Sequence, residues 1–347
     1  MKTHTTVKRS AAFALSVIVA FCLASCAPAV VATRGDGPAP DPLMGDWQGN
    51  QVSSGGIVTP VAVRVVALGG AMYRFNIQSS FDQRQDARTT LAEGRLEGDR
   101  IVPLTESGWQ MRLINGELTG ETTRNMAANF TLRRVVRLSP NLGARAPQGA
   151  VVLFDGASLS GWQRREEKER STPVGWKILE GGIMEVAPGS GDIITKQKFT
   201  DFRLHVEFRT PFMPDAREQA RGNSGVYLHG RYEIQVLDSY GLKGEDNECG
   251  SIYKVSAPLV NMCAPPGQWQ TYDITFHAPR FDAEGKEVNV AVATVVHNGV
   301  VIQQDLSIPG PTGGAIDEDV KAPGALMLQD HGNLVQYRNI WLVELKN

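Results

Sequence analysis

Alternating apolar and polar residues recur along most of the chain and predict short β-strands. The clearest alternation flanks a glycine within residues 222–239 (GNSGVYLHGRYEIQVLDS). Before that glycine, Val226 and Leu228 alternate with polar or aromatic neighbours, and Ile234 and Val236 do the same after it. A period of two on both sides of a short loop is typical of a β-hairpin with one buried face.

The buried face also predicts the register of this hairpin, because a one-residue slip would exchange its two faces. A two-residue loop would mix apolar and polar side chains on each face. A three-residue loop, residues 230–232, separates them and sets Glu233 opposite His229. Gln235 then lies opposite Tyr227. We therefore expect these four side chains to share one polar, aromatic surface.

Asp238 follows the second strand of the hairpin and has two possible orientations. In a regular strand its carboxylate would point into the core with Ile234, where an unpaired charge is costly. A one-residue bulge at residues 236–237 would return it to the surface that carries Glu233. Two carboxylates flanking Gln235 would then line one groove, a common arrangement for binding or cleaving a sugar. The alternative is a solvated strand face with ordinary polar residues.

Residues 43–138 predict a small all-β domain, either a barrel or a sandwich. Its alternating segments are residues 61–68, 72–77, 89–104, 109–122 and 129–138. Glycine-containing dipeptides such as Asn115-Gly116 lie between these segments and favour hairpin turns. Trp47 and Trp109 could stack on sugars, but we interpret them as core aromatics. Residues 139–149 (SPNLGARAPQG) are typical of a linker.

Residues 150–347 contain many short strands and almost no helical period, which favours a second all-β domain built as a sandwich or jelly roll. The clearest strand is FRLHVEFR, residues 202–209. Its apolar residues are expected to point inward. Its outward set, Arg203, His205, Glu207 and Arg209, is expected to form a solvated sheet face.

The N-terminus has the pattern of a targeting segment, residues 1–25, rather than of a fold. Basic residues precede the apolar run 11–23, which is too short for a comfortable membrane helix. Residues 23–26 (LASC) are similar to the lipobox of bacterial lipoproteins, in which the cysteine, here Cys26, is lipidated. An ordinary secretory signal cut near Ala27 or Ala29 is the alternative.

A tether follows this segment, since residues 26–42 are rich in alanine, proline and glycine. We expect a mature protein at the bacterial cell envelope, anchored to the membrane through its lipid and facing the periplasm or the exterior. Once Cys22 has left with the signal and Cys26 carries lipid, two cysteines remain. In an oxidising compartment this pair, Cys249 and Cys263, predicts a disulfide.

Composition excludes several classes of function. A formal net charge of −2 gives no electrostatic reason to expect a nucleic-acid partner. The sequence has no P-loop, no GxGxxG after a strand, no HExxH and no GxSxG, so nucleotide, zinc-protease and serine-hydrolase chemistries have no support. Nothing in the sequence requires a cofactor. The three acids of residues 310–324, interpreted as a mobile rim loop, could bind structural calcium, but their spacing lacks the EF-hand pattern.

The motifs of residues 150–347 together resemble the 3-keto-disaccharide hydrolase family, formerly a domain of unknown function and often called glycoside hydrolase family 16-like. The stretches that carry the resemblance are VLFDGASLSGW (152–162), GWKILEGGIMEV (175–186), IITKQKFTDFRLHVEFR (193–209), GNSGVYLHGRYEIQVLDS (222–239), CGSIYKV (249–255), PGQWQTYDITFHAPRFD (266–282), HNGVVI (297–302) and LMLQDHGNLVQYRNIWLVEL (326–345). The resemblance implies a concanavalin-like jelly roll whose concave sheet holds a sugar.

The resemblance also extends the candidate site. Asn223 could donate to sugar hydroxyls, although an Asn between glycines is often only a turn residue. The match at residues 329–332 (QDHG) favours His331 as a proton-transfer group. Arg338 could bind the substrate or pair structurally with an acid. The catalytic candidates are Glu233, Asp238 and His331, and the substrate-binding candidates are Asn223, Tyr227, His229, Gln235, Gln329 and Arg338.

The resemblance implies cleavage of a small 3-keto-glycoside or 3-keto-disaccharide by elimination and hydration, with a sugar-3-oxidising enzyme upstream. Two alternatives remain open. Residues 233–238 (EIQVLD) resemble the E-x-D-x-x-E arrangement of retaining family 16 glycosidases, but Gln235 replaces the central acid and the last acid is a shorter Asp. A non-catalytic carbohydrate-binding lipoprotein is the other alternative, because a jelly roll does not fix function.

Overall fold

The computed structural model describes residues 41–81, 89–122, 128–165 and 174–346. The predicted signal peptide, Cys26 and residues 27–40 of the predicted tether lie outside these ranges. The described residues all fall in one compact unit. They contain no α-helix, only one 3₁₀ turn at Glu218–Ala220, and therefore no helix long and apolar enough to span a membrane.

The first part of the chain is a closed barrel of eight antiparallel strands, in which each strand pairs with the next and the first pairs with the last. The strands are β1 Gly45–Ser53, β2 Val58–Ala67, β3 Met72–Gln78, β4 Thr90–Glu97, β5 Arg100–Pro103, β6 Trp109–Ile114, β7 Glu117–Thr122 and β8 Ala128–Val135. Closure leaves no unpaired sheet edge. The alternating side chains of these strands fill the interior, where Trp47 is 1% exposed, as the sequence predicts.

One barrel strand is missing from the sequence prediction. Strand β1 (GDWQGNQVS) has two glycines and no regular alternation of apolar residues. It forms because both of its edges are paired, with β2 on one side and with β8 on the other. Glycine has a packing role in the barrel as well. A Cβ at Gly120 would lie 2.3 Å from the ring of Phe130, so this position leaves room for an interior aromatic.

The second part is a sandwich of two antiparallel sheets. Its strands are β9 Val151–Phe154, β10 Trp162–Arg164, β11 Lys177–Leu179, β12 Ile183–Glu185, β13 Ile193–Thr195, β14 Phe202–Arg209, β15 Ser224–Leu228, β16 Tyr232–Val236, β17 Gln270–His277, β18 Arg280–Phe281, β19 Glu287–Asn289, β20 Ala291–His297, β21 Val300–Ile308, β22 Met327–Leu328 and β23 Gln336–Glu344. One sheet has the order β10-β13-β22-β15-β16. The other has the order β11-β12-β23-β14-β17-β20-β21, with β9 on β23, and β18 and β19 form a small separate ribbon. The predicted all-β fold, a sandwich preceded by a smaller barrel, is confirmed.

The outward face of strand β14 is not solvated at its centre, which corrects the sequence prediction. His205 and Glu207 are both fully buried. Residues 139–144, the first part of the predicted linker 139–149, lie over this face: the Gly143 amide donates to Glu207 Oε1 at 2.6 Å, and Asn141 donates to Asp273 Oδ2 at 2.8 Å. The segment therefore acts as a cover, because its polar groups satisfy a face that water would otherwise hydrate.

Glu207 is the centre of the hydrogen-bonded network under this cover. Arg338 Nε donates to its Oε2 at 2.7 Å, and Asn339 Nδ2 donates to its Oε1 at 2.8 Å. His205 Nε2 lies 3.5 Å from the same Oε1. Burial by itself would raise the pKa of Glu207, but these hydrogen bonds lower it to about 2. The carboxylate is therefore ionised and fully paired, as a buried charge must be.

We expect Glu207→Gln to lower the free energy of unfolding at pH 7 by about 3 kcal/mol, because it leaves Arg338 without its buried anion. The folded pKa of Glu207 is depressed, so its contribution is complete above its ordinary value of 4.5 and is lost as pH falls toward 2. Denaturant titrations between pH 7 and pH 2 should therefore show the two proteins converging in acid.

Glu93→Gln is the matched control. Glu93 pairs with Arg74 on the barrel, where both side chains are about one-third exposed. Its loss should cost less than about 1 kcal/mol. A similar cost for both variants would contradict the assigned role of Glu207.

Candidate active site on the five-stranded sheet

The predicted hairpin forms strands β15 and β16, and its two faces are sorted as the alternation predicts. Tyr227 pairs with Glu233, and Gly225 pairs with Gln235. The register differs from the predicted one by two residues, since the three-residue loop is 229–231 rather than 230–232. Tyr232 belongs to the strand and pairs with Leu228 on the apolar face. Tyr227, Glu233 and Gln235 therefore share a polar surface, called here the site face.

His229 is not on the site face, which corrects its prediction as a substrate-binding residue. It begins the loop with a positive φ of 55°, and Gly230 follows at 66°. This turn sends the imidazole into the core, where it packs on Phe276 with ring centroids 4.8 Å apart. Its Nε2 lies 2.9 Å from the Thr200 carbonyl. Burial lowers the pKa of His229 to about 4, so the ring is a neutral core residue.

Glu233 is the central group of the site face and is only 3% exposed. Its Oε2 lies 2.8 Å from the Tyr227 hydroxyl. The neighbouring strand admits the carboxyl only because Gly225 has no side chain: an added Cβ would stand 2.5 Å from Glu233 Oε1. Burial raises the pKa of Glu233 to about 8, the Tyr227 hydrogen bond opposes this effect, and the negative charge of Asp192 adds to it.

The Tyr227 hydroxyl has three partners, and their roles depend on the proton of Glu233. It lies 2.9 Å from the Gly313 carbonyl, and it accepts a hydrogen bond from Gln329 Nε2 at 3.1 Å. A phenol has one proton and two acceptor sites. When Glu233 is protonated, it can donate to Tyr227, which then donates to Gly313. When Glu233 is ionised, Tyr227 must donate to it and no longer donates to the Gly313 carbonyl. Tyr227 can therefore bond to Glu233 in both protonation states, and its bond to the ionised form lowers the pKa that burial raises.

An amide pair extends the site face beyond Glu233. Gln235 Nε2 donates to Asn223 Oδ1 at 2.9 Å, and both side chains are buried. The side-chain Nδ2 of Asn223 donates to the backbone carbonyl of Gln219 at 2.8 Å, and the backbone amide of Asn223 donates to Asn333 Oδ1 at 2.7 Å. These bonds fix the orientation of both amides. Next to them, Gln329 Oε1 is a buried acceptor that no donor of the described residues reaches.

Residues 312–317, called here the strap, lie against the site face. Thr312 Oγ1 accepts from the Glu233 amide at 3.0 Å, and the Ile316 amide donates to the carbonyl of Gly230 at 2.9 Å. At the opposite edge of the sheet, Arg165 donates to the carbonyls of Gly314 and Ala315. Because the strap is bound at both edge strands, it shields Glu233 from water. One acid of the predicted calcium loop, Asp317, pairs with Arg231 at 2.6 Å.

Arg165 and Asp192 are site residues that the sequence prediction missed. They form an ion pair at 2.9 Å, and Asp192 Oδ1 also accepts from the Asp330 amide. Arg165 holds the strap, and Asp192 affects the proton affinity of Glu233. The adjoining strands β10 and β13 are three residues long, which is too short for a period of two to identify a polar face.

His331 is exposed, and it lies in the segment between Gln329 and Asn333. Gln329 donates a hydrogen bond to Tyr227, and Asn333 accepts one from the backbone amide of Asn223. Asp330 anchors the segment, since its carboxylate accepts from the amides of Gly191 and Gly332. The structure therefore brings His331 to the border of the site while leaving its imidazole accessible.

Asp238 and Arg338 are not part of the site face, which corrects both predictions. Strand β16 ends at Val236 without the expected bulge. Asp238 is buried against Arg221, whose Nε donates to it at 2.6 Å. Arg338 lies in the other sheet, bound to Glu207 and stacked 4.0 Å from the centroid of the Trp269 ring. For Arg338 the structural pairing that was the alternative is the observed one.

The predicted disulfide is also wrong, because Cys249 and Cys263 are free buried thiols. The two thiols are hydrogen-bonded neighbours, and Cys249 Sγ lies 3.1 Å from the hydroxyl of Tyr272. Packing and hydrogen bonds rather than a covalent bond hold this part of the chain.

The site thus combines a neutral buried carboxylic acid, oriented amides, an unused amide acceptor and an accessible imidazole. A carboxylic acid that keeps its proton near neutral pH can serve as a general acid. Within the described ranges, no group of three or more His, Cys, Asp and Glu side chains has an arrangement that could hold a metal ion.

Residues 149–343 match the model of one protein family, which is described as the 3-keto-alpha-glucoside-1,2-lyase-like domain. A crystal structure from Parabacteroides distasonis, of a protein provisionally named a glycosyl hydrolase, is 40% identical with a TM-score of 0.51, and covers 58% of this chain and 85% of its own. Two further structures from that organism, named in the same way, are 19% and 22% identical with TM-scores of 0.41 and 0.40. They cover 57% and 56% of this chain, and 95% and 99% of their own. No curated protein matches the chain.

Removing the Tyr227 hydroxyl should raise the pKa of Glu233 further above 8, because the carboxylate loses its hydrogen-bond donor. A hydrogen bond to a charged group contributes about 1.5–3 kcal/mol, so the shift in Tyr227→Phe should be about one to two pH units. Infrared titration of the carboxyl band, with Glu233→Gln to identify the signal, measures it. Tyr232→Phe, on the opposite face of the same hairpin, should leave the titration in place. A downward shift in Tyr227→Phe would refute the arrangement.

Proposed function

Because this chain belongs to the 3-keto-alpha-glucoside-1,2-lyase-like family, we propose that it is an enzyme that cleaves 3-keto-glycosides or 3-keto-disaccharides. The observation that carries the proposal is Glu233, a buried carboxylic acid with a pKa of about 8 on a polar sheet face. A buried acid with a strongly shifted pKa beside converging polar groups is typical of catalytic sites. The 40% identical structure, whose protein is named a glycosyl hydrolase, supports action on sugars.

The proposed reaction uses the acidity that a ketone at C3 gives to the proton on C2. A general base removes that proton, and its electron pair forms an enediolate. The C1–O bond then breaks, and the leaving oxygen takes a proton from a general acid. Addition of water across the resulting C1–C2 double bond completes a net hydrolysis. The path needs one base, one acid and donors that stabilise the enediolate charge.

Glu233 is the general acid in this proposal. It holds a proton at neutral pH, and the strap excludes the water that would otherwise compete for it. After Glu233 gives its proton to the leaving oxygen, the Tyr227 hydroxyl turns from the Gly313 carbonyl to the new carboxylate, since it lies within 2.9 Å of both oxygens. Only the hydroxyl proton of Tyr227 changes direction, so the side chain stabilises the ionised product state from its original position.

His331 is the proposed general base, since its imidazole is accessible at the border of the site. Gln235, Asn223 and Gln329 are proposed to orient the sugar and to stabilise the enediolate. Their amides are held by hydrogen bonds before substrate arrives, and such preorganised dipoles need no rearrangement in the transition state. The unused acceptor of Gln329 suits a sugar hydroxyl.

The retaining glycosidase mechanism has less support. It needs two carboxyl groups about 5–5.5 Å apart on either side of the scissile bond. The second carboxylate in the matching sequence pattern, Asp238, is paired with Arg221 and has no contact with the site face. A carbohydrate-binding role without catalysis does not call for a buried acid that retains its proton.

We propose that this activity lies at the cell envelope, because the N-terminal pattern is similar to that of a lipoprotein signal. A 3-keto-glycoside must be formed from an ordinary glycoside by oxidation of the C3 hydroxyl. An enzyme that oxidises sugars at C3 is therefore the proposed upstream partner.

The rate of cleavage should fall as pH rises through about 8, because Glu233 then loses the proton that the leaving oxygen needs. The measurement is kcat/KM for a 3-keto-glucoside between pH 6 and pH 10. Tyr227→Phe should move the falling limb to higher pH, and Tyr232→Phe should not. A rate that increases through this range would instead assign Glu233 as the base.

Glu233→Gln and His331→Ala should each lower kcat for the 3-keto-glucoside by about 10²–10⁴-fold, the usual contribution of a positioned acid or base. Neither the wild type nor the variants should cleave the unoxidised glucoside. His277→Ala removes another exposed imidazole, from strand β17, and should retain activity. Asp238→Asn should lower the free energy of unfolding, because Asp238 pairs with Arg221, but the variant should still cleave only the keto substrate.

The isotope content of the product distinguishes the two routes. In D₂O the elimination route places one deuterium on C2, whereas direct displacement at C1 leaves C2 unlabelled. Free product incubated with Glu233→Gln corrects for spontaneous exchange. Cleavage of the unoxidised glucoside without label would favour a glycosidase. Saccharide binding without cleavage of either compound would favour a binding protein.

A further inference from the structure

The barrel contacts the sandwich at the open end of the site hairpin. Two segments flank that end: residues 215–221 lead into Asn223, and residues 238–241 follow strand β16. Both are seated on the barrel, chiefly on its β2–β3 hairpin and on Asp46 of β1. This junction, defined by those two segments and their barrel partners, involves none of the residues assigned to the chemistry.

The first segment is held by backbone carbonyls of the barrel. Arg217 donates to the carbonyl of Leu68 at 2.6 Å, and Arg221 donates to that of Ala67 at 3.2 Å. Gly69 is in contact with Asp215, since an added Cβ would stand 1.9 Å from its carboxyl oxygen. A carbonyl at a strand end is a fixed acceptor, so these bonds define where the segment runs.

The second segment is held by two buried side chains of the barrel. Asn76 Nδ2 donates to the carbonyl of Gly241 at 2.6 Å. The Tyr240 hydroxyl donates to Asp46 Oδ1 at 2.7 Å, and Asp46 also binds Arg137. Tyr240 is 1% exposed and Asp46 is 3% exposed, so loss of either partner leaves a buried polar group unpaired.

The two segments are tied to each other and to the site. The ion pair of Arg221 with Asp238 joins them, and the Asp238 amide donates to the carbonyl of Arg221 at 3.0 Å. Gln219, two residues before Arg221, accepts from the side chain of Asn223. Asn223 accepts from Gln235. Hydrogen bonds therefore run from the barrel to the amide pair of the site face.

We propose that the barrel is a positioning domain for the site: by holding residues 215–221 and 238–241 it fixes the orientation of the Asn223–Gln235 amide pair. No described residue of the barrel contributes a group to the site face. Its effect on catalysis passes through the junction, so loosening the junction disturbs substrate binding even in molecules that remain folded.

Tyr240→Phe and Asn76→Ala test this proposal in the full chain. Each removes one junction hydrogen bond from a residue that is not assigned to the site. Tyr73→Phe is the matched control: Tyr73 lies on the same β2–β3 hairpin, but its hydroxyl binds the carboxylate of Asp41, at 2.9 Å, rather than either junction segment. All three should be assayed below their melting temperatures, with the folded fraction measured by circular dichroism.

The kinetic readout rests on the proposed function. KM for the 3-keto-glucoside should rise by about tenfold in both junction variants and stay unchanged in Tyr73→Phe. A junction that serves stability alone would lower the active fraction and hence the maximum velocity, but KM would not change, because each surviving molecule has an intact site. An unchanged KM in both variants would overturn the proposal.

The second readout does not depend on any substrate. Hydrogen exchange of peptides that contain the amides of Asn223 and Gln235 should quicken in the junction variants, relative to peptides from strands β20 and β21, and should match the wild type in Tyr73→Phe. Unchanged exchange would refute the coupling. If wild type cleaves no keto substrate, the proposed function fails, and this exchange experiment alone decides whether the barrel positions the site.

Discussion

The pairing of Tyr227 with Glu233 across one hairpin is the constraint on which the site depends. It puts a phenol and a carboxyl on the same face of two neighbouring strands, and Gly225 leaves the space in which the carboxyl lies. The strap closes over both and supplies the Gly313 carbonyl that completes the tyrosine's hydrogen bonds. The consequence is a carboxyl whose pKa is raised by burial and lowered in part by its hydrogen bond from Tyr227.

Two buried glutamates in the sandwich show how the surroundings decide the role of the same side chain. Glu207 is bonded by Arg338, Asn339, His205 and the Gly143 amide, and its pKa falls to about 2. Glu233 is desolvated by burial, accepts a hydrogen bond from Tyr227 and faces the charge of Asp192, and its pKa rises to about 8. The first carboxylate is a permanent ion that fastens the covering segment 139–144 to the sheet. The second can exchange a proton near neutral pH, which is the property that chemistry on a sugar needs.

The barrel and the sandwich are joined by buried, directional bonds rather than by a loose linker. Tyr240 with Asp46, Asn76 with Gly241 and the arginines of residues 217–221 all lie where the site hairpin opens. The strap holds the other end of that hairpin, through Thr312 and Asp317. The hairpin is thus fixed at both ends by elements distant in sequence, and this arrangement explains how side chains on two short strands keep one geometry.

The sequence by itself determined the all-β class, most of the strands and which hairpin residues share a face, because a period of two reports burial directly. It also identified the family, through motifs spread over residues 150–347. It did not determine the loop of the hairpin, since a shift of two residues keeps every side chain on its face. The tertiary structure decided that His229 turns into the core, that Asp238 and Arg338 pair elsewhere, and that the two cysteines remain thiols. It also brought Arg165, Asp192 and the strap to Glu233, contacts that join residues far apart in the chain and leave no local pattern. Burial sets the proton affinity of Glu233, and burial is a property of the assembled fold.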